Sequence, residues 1–181
     1  MLVLMWGSEI VDAAPGVQLD QYGIEPRDVD GLAGVVAAPF LHVGFGHLIS
    51  NTVPFVLMGA VIAAAGARRI LLVTAIVALV SGLGTWLVAP AGTIHLGASG
   101  VVFGYAAYLI ARGVFDRRLR SIAVGVLVAL VYGTTLLFGL VPRPGVSWQG
   151  HLFGAIGGVI AARVLAVRER GPATGGRAAA R

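Results

Sequence analysis

The sequence predicts an all-α protein that crosses a membrane several times, and three observations lead there. Its 181 residues are 57% hydrophobic and only 12% charged, about half the charged share of an ordinary soluble domain. From Ile70 to Ala111 there is no Asp, Glu, Lys or Arg. The apolar residues also fall into runs near the roughly 20 residues that a helix needs to cross a hydrocarbon core about 30 Å thick.

The head, "MLVLMWGSEIVD", is apolar but short. Ten helical residues cover only about 15 Å, and no basic residue precedes the run as a signal peptide would require. Residues 1–13 therefore read as the remnant of a first transmembrane span whose beginning is missing. Residues 14–46 read as an extracytoplasmic loop. Five candidate spans follow, at residues 47–66, 70–89, 97–111, 121–141 and 149–167, which make residues 47–168 a five-span membrane core. The breaks between them carry turn chemistry: Arg68-Arg69, Pro90-Ala91-Gly92, "RGVFDRRLR" and "PRPG". No internal repeat is evident, and the tail at residues 169–181, "ERGPATGGRAAAR", reads as disordered and cytoplasmic.

Charge sets the expected direction of the spans. Arg68 and Arg69, then Arg112, Arg117, Arg118 and Arg120, then Arg168, Arg170, Arg177 and Arg181 occupy alternate breaks and the tail. The positive-inside rule puts these segments in the cytoplasm. Glu9, Asp12, Asp20, Glu25, Asp28 and Asp30 fall on the opposite side. The expected location is thus a multi-pass protein of the plasma (inner) membrane with a cytoplasmic C-terminus. The arginines flank apolar runs and form no aromatic-laced patch, so nucleic acid is not an expected partner. Cysteine is absent, which removes disulfides, thiolate metal sites and thiol nucleophiles.

Three of the five runs point the same way, and each opens with unusual polar residues: His47 and Asn51, then Ser99, then His151. Parallel helices place their first turns at similar depth, so these four side chains fall in one layer. Ionisable groups inside spans are costly and face a bundle interior or a water-filled cavity. His47 and Asn51, four residues apart, share a helix face. Gly100 and Gly104 follow Ser99, and Gly150, Gly154 and Gly158 surround His151; such small-residue faces let helices approach closely in lipid. Taken singly, a serine among glycines is ordinary packing and a helix-end histidine is an interfacial residue. Their joint occurrence at one depth is what points to chemistry.

Elimination narrows that chemistry. No His-Glu-x-x-His helix is present. No Asp or Glu occurs from Gly31 to Phe115, and lysine is absent altogether, so a carboxylate pair and a Ser-Lys pair both fail. A serine–histidine arrangement remains, with packing rather than an acid orienting the imidazole. His42, His47, His95 and His151 show no metal-ligand spacing, so no metal or cofactor is expected, and His95 reads as a loop residue outside the site.

In order along the chain, "FLHVGFGHLISN", "GASG" and "GHLFGAIGG" resemble the rhomboid intramembrane serine proteases. The resemblance runs from about residue 24 to the end of the last span. It implies a rhomboid-like six-helix transmembrane bundle, its first span truncated here, and cleavage of the transmembrane segments of other membrane proteins near their extracytoplasmic ends. It further implies Ser99 as nucleophile, His151 as general base, and His47, Asn51 and the Ser99 amide as oxyanion donors. Gly97 and Gly100 match the glycines that flank the nucleophile, and Phe103 stands where the family often has a tyrosine against the histidine ring. Expected partners are transmembrane substrates and the lipid bilayer. Two alternatives stay open: a rhomboid-like binder of transmembrane helices that does not cut, and a small transporter. Inactive relatives usually lose the serine or the histidine, and a transporter calls for broken helices or charge at mid-span.

Overall fold

A computed structural model describes residues 1–169. The tail predicted to be disordered lies outside the described residues except for Glu169, which ends the last helix.

Among the described residues the fold is all-α, as predicted, with no strand beyond one isolated Ile24–His95 bridge. Helix α1 (Leu2–Asp12) leads into a long loop containing three 3₁₀ turns and the short α2 (Gly34–Ala37). Five longer helices follow: α3 (Gly44–Ala63), α4 (Ala67–Val88), α5 (Ser99–Asp116), α6 (Leu119–Gly139) and α7 (Trp148–Glu169). Helices α3 and α4 begin earlier than the apolar runs suggest. The α4 first turn takes in Arg68 and Arg69, because arginines at a membrane boundary bend their charged heads toward water while the backbone stays helical.

Helices α3, α4, α6 and α7 are each long and apolar enough to cross a membrane. Exposed Leu57, Leu71, Leu130 and Leu137 line their outer faces, as a bilayer solvent requires and water would not tolerate. This is a multi-pass membrane protein. Helix α5 falls outside that set because it is the central helix. Ten of its 18 residues are buried, so its surroundings are protein and it can carry Gly, Ser, Tyr and an Arg112–Asp116 ion pair at 2.7 Å.

The packing is organised around α5, which lies most extensively against α7 and then α6, while α4 also packs on α7. The α5–α7 contact is set by glycine. A Cβ placed on Gly154 would stand 2.1 Å from the Gly100 carbonyl oxygen, so only a bare backbone fits there. The densest core lies toward the arginine-rich end, where Met58, Ile62, Val73, Val77, Tyr105, Tyr108 and Leu165 meet. Helix α6 leans on α5 and makes little contact with α3. That leaves an opening between α3 and α6 at the other end of the bundle.

The long loop is pinned at several points. Ile24 and His95 exchange backbone hydrogen bonds of 2.8 and 2.9 Å, and Gly97 N–H donates to the Ala38 carbonyl at 2.8 Å. Trp86 Nε1 donates to the Asp28 carbonyl at 2.7 Å. Helix α1 is held by Trp6 Nε1 donating to Thr52 Oγ1 at 3.2 Å and by Ser8 Oγ donating to the Phe40 carbonyl at 2.5 Å.

Candidate active site

The start of α5 is a stop in one chain direction and a beginning in another. Gly97 adopts φ +111°, a conformation open to glycine and strained for other residues. A Cβ there would also stand 2.7 Å from His47 Cε1. The turn made possible by Gly97 lets the helix begin at Ser99 itself, where backbone N–H groups are unpaired and the helix dipole is positive.

Glycine contacts between α5 and α7 then bring the two sequence-predicted residues together. Ser99 Oγ lies 2.9 Å from His151 Nε2. On the other side of the ring, His151 Nδ1 lies 2.7 Å from the Gly139 carbonyl oxygen at the end of α6. A carbonyl can only accept, so Nδ1 carries the proton and Nε2 is the free acceptor for the serine hydroxyl. The Phe103 ring stacks on the imidazole with centroids 4.0 Å apart and planes 7° from parallel. The ring is therefore fixed by a backbone carbonyl and an aromatic face. No carboxylate takes part.

Two α3 residues share the cavity with this pair. Val43 N–H donates to His47 Nδ1 at 3.4 Å, which leaves Nε2 as the protonated nitrogen, a donor. Asn51 is buried, and its Nδ2 uses one hydrogen on the His47 carbonyl at 3.2 Å, so a second N–H remains. His47, Asn51, Ser99 and His151 all line one cavity of about 560 Å³ that extends between α3 and α6 to Met58 and Tyr132. The four polar side chains that the sequence places at one depth do meet in one space.

Two histidines gain roles that sequence reasoning did not give them. His42 is fully buried; its Nε2 accepts the Ala98 N–H at 3.3 Å, and its ring meets His47 edge-on at 5.1 Å. Burial, and secondarily His47, hold its pKa down at about 4, so the accepting nitrogen stays unprotonated. With the Gly97–Ala38 bond, it clamps the turn that presents Ser99. His95 is no bystander either. Its Nδ1 lies 2.8 Å from Ser147 Oγ and its Nε2 2.8 Å from Thr93 Oγ1, joining the α4–α5 loop to the α6–α7 loop above the cavity. A second histidine five residues before the "HLISN" stretch was the available signal for His42; nothing in the sequence pairs His95 with Ser147. Among the described residues, no group of three His, Asp or Glu side chains could hold a metal ion.

Comparison with known proteins then decides the family, because the rhomboid domain matches residues 30–168. The chain belongs to the rhomboid family. A rhomboid-family core accordingly carries every site residue named above. An uncharacterized protein of Mycobacterium tuberculosis is 43% identical over 178 residues, covering 93% of this chain and 74% of its own. An uncharacterized Mycobacterium leprae protein is 42% identical over 178 residues, with 93% and 70% covered. The rhomboid protease GluP of Bacillus subtilis is 28% identical over 134 residues, 72% of this chain and 25% of that protein.

Proposed function

We propose that this rhomboid-family protein is an intramembrane serine endopeptidase that cuts transmembrane segments of membrane proteins near their extracytoplasmic ends. The observation that carries the reading is the 2.9 Å contact of Ser99 Oγ with His151 Nε2 inside a cavity bounded by transmembrane helices. His151 takes the proton from Ser99 as Oγ attacks the scissile carbonyl carbon. The carbonyl oxygen becomes an oxyanion that accepts from the His47 Nε2–H, the Asn51 Nδ2–H and the Ser99 N–H. His151 then returns the proton to the leaving amine, the C–N bond breaks, and an acyl-serine remains. Water, deprotonated by the same imidazole, hydrolyses that ester and restores the serine. The Gly139 carbonyl stabilises the imidazolium in both halves, the task that an acid performs in a triad.

The arginine distribution supports an orientation in which the site opens to the extracytoplasmic side of the plasma (inner) membrane and the C-terminus is cytoplasmic. The test is labelling with a fluorophosphonate probe in detergent and cleavage of a generic transmembrane substrate. Both should be abolished in Ser99→Ala and strongly suppressed in His151→Ala, since a hydroxyl without a base is a poor nucleophile. Equal labelling of Ser99→Ala and the unmodified protein would end the proposal.

A further inference from the structure

The cavity that holds Ser99 and His151 does not end at them. On the side away from the dense core it runs into a second basin of about 680 Å³ lined by Thr93, His95, Trp148 and Gln149. The two spaces share His47, Leu96, Ser147 and Arg143. A chain lying across Ser99 would thus have its membrane-buried part in the space between α3 and α6, against Met58, Tyr132 and Leu136, and its aqueous part in the basin.

Charge in these two spaces is one-sided. Among the described residues, Arg143 is the sole Arg, Lys, Asp or Glu lining either of them. Among those residues it has no salt-bridge or side-chain hydrogen-bond partner, and it is exposed. An unpaired guanidinium at a cavity mouth offers a planar, five-hydrogen fork that matches a carboxylate. Its mounting is stiff. Arg143 stands between Pro142 and Pro144, whose rings fix φ, with Gly145 at φ +74° completing the turn. Val146 N–H closes that turn onto the Arg143 carbonyl at 3.2 Å, and the next residue, Ser147, is bonded to His95. A loop held this way loses little entropy when its arginine engages a ligand.

We propose that Arg143 selects substrates carrying an aspartate or glutamate on the aqueous side of the scissile bond. Arg143 lines both the cavity that holds Ser99 and the basin beside it, so the acidic residue would lie on the aqueous side close to the cleaved bond. This rests on the protease reading above and names the chemistry of its substrates: an apolar segment followed at once by a negative charge. The recognition acts as the chain enters, before any bond is broken, so it falls on kcat/KM.

The experiment uses three versions of one transmembrane substrate, with Asp, Asn or Lys at the second aqueous-side position, assayed with the unmodified protein, Arg143→Gln and Arg143→Glu. Ser99→Ala defines the background. The unmodified protein should favour Asp over Asn by about two- to fivefold in kcat/KM, the upper range of an exposed charged pair, and should cleave the Lys version slowest. Arg143→Gln should level the three, and Arg143→Glu should reverse the order. Only ratios within each variant are read, so a general loss of activity does not blur the result. Ser99-dependent cleavage at equal kcat/KM for all three substrates overturns the role of Arg143 alone. Absence of Ser99-dependent product from every substrate overturns the protease reading, and this inference with it.

Discussion

Replacing Gly154 by alanine should separate Ser99 from His151 without touching either. The added Cβ would lie 2.1 Å from the Gly100 carbonyl oxygen, and real Cβ atoms essentially never come closer than 3.0 Å. The helices must therefore part by at least 0.9 Å. Both partners are backbone-anchored, so no rotamer change can relieve the contact. Ser99 immediately precedes Gly100, and His151 lies three residues before Gly154 on α7. Fully transmitted, the displacement takes the 2.9 Å Ser99–His151 bond to about 3.8 Å, beyond hydrogen-bond reach. A misplacement near 1 Å costs about 10² in rate, while overpacking costs about 1–3 kcal/mol of stability. The assay is kcat/KM on one transmembrane substrate together with the fluorophosphonate labelling rate and a melting curve in detergent. Gly133→Ala on α6 is the control, since nothing lies within 4 Å of its added Cβ. A Gly154→Ala protein that labels, cleaves and melts like the parent would refute the claim that glycine contact sets the Ser99–His151 distance.

Four further outcomes are expected. Asn51→Ala should lower kcat by about 10²–10³ with little change in KM, the usual cost of one oxyanion donor, and His47→Ala should act similarly with some loss of stability; unchanged turnover in both well-folded variants would make α3 merely structural. His42→Gln, which keeps an acceptor for the Ala98 N–H, should retain most labelling, whereas His42→Leu should lose about fivefold, the worth of one hydrogen bond near 1 kcal/mol. Because the His42 pKa is held at about 4 in the folded protein against 6.5 ordinarily, the unfolded chain takes up its proton first as pH falls. The melting temperature should accordingly drop between pH 6.5 and 4, and drop less in His42→Gln; identical slopes would remove His42 from the pH response. Finally, an apolar helix fused ahead of Met1 would continue α1 along the groove lined by Leu2, Val36, Phe55, Leu71 and Leu79, and should raise the detergent melting temperature; no shift would show that the groove is not a helix seat.

What was legible in the sequence was whatever repeats or recurs at fixed spacing. Apolar runs of membrane-crossing length gave the helices, and the four-residue interval from His47 to Asn51 put both on one face. The glycine intervals after Ser99 and around His151 foretold the helix contact that brings those residues to 2.9 Å. Helix α5 was harder to bound, because a helix enclosed by protein need not be apolar throughout. Most of what escaped belongs to loops and to backbone. His42 lies just outside α3, so helical spacing assigns it no face, and its bond to Ala98 depends on how residues 38–42 cross the nucleophile turn. The His95–Ser147 bond joins residues 52 apart through loop geometry that no periodicity encodes.

The Gly139 carbonyl has a consequence for how such a site can be found by mutation. It holds the imidazole proton in place, yet every amino acid supplies the same carbonyl, so no substitution deletes it. Alanine at position 139 would test something else, since the new Cβ would stand 2.2 Å from Phe103 Cζ. A scan of side chains would report Ser99, His151, His47 and Asn51 and pass over this carbonyl. Replacing the backbone amide that follows residue 139 with an ester, which weakens the oxygen as an acceptor while leaving every side chain in place, is the kind of change that would make that silent partner audible.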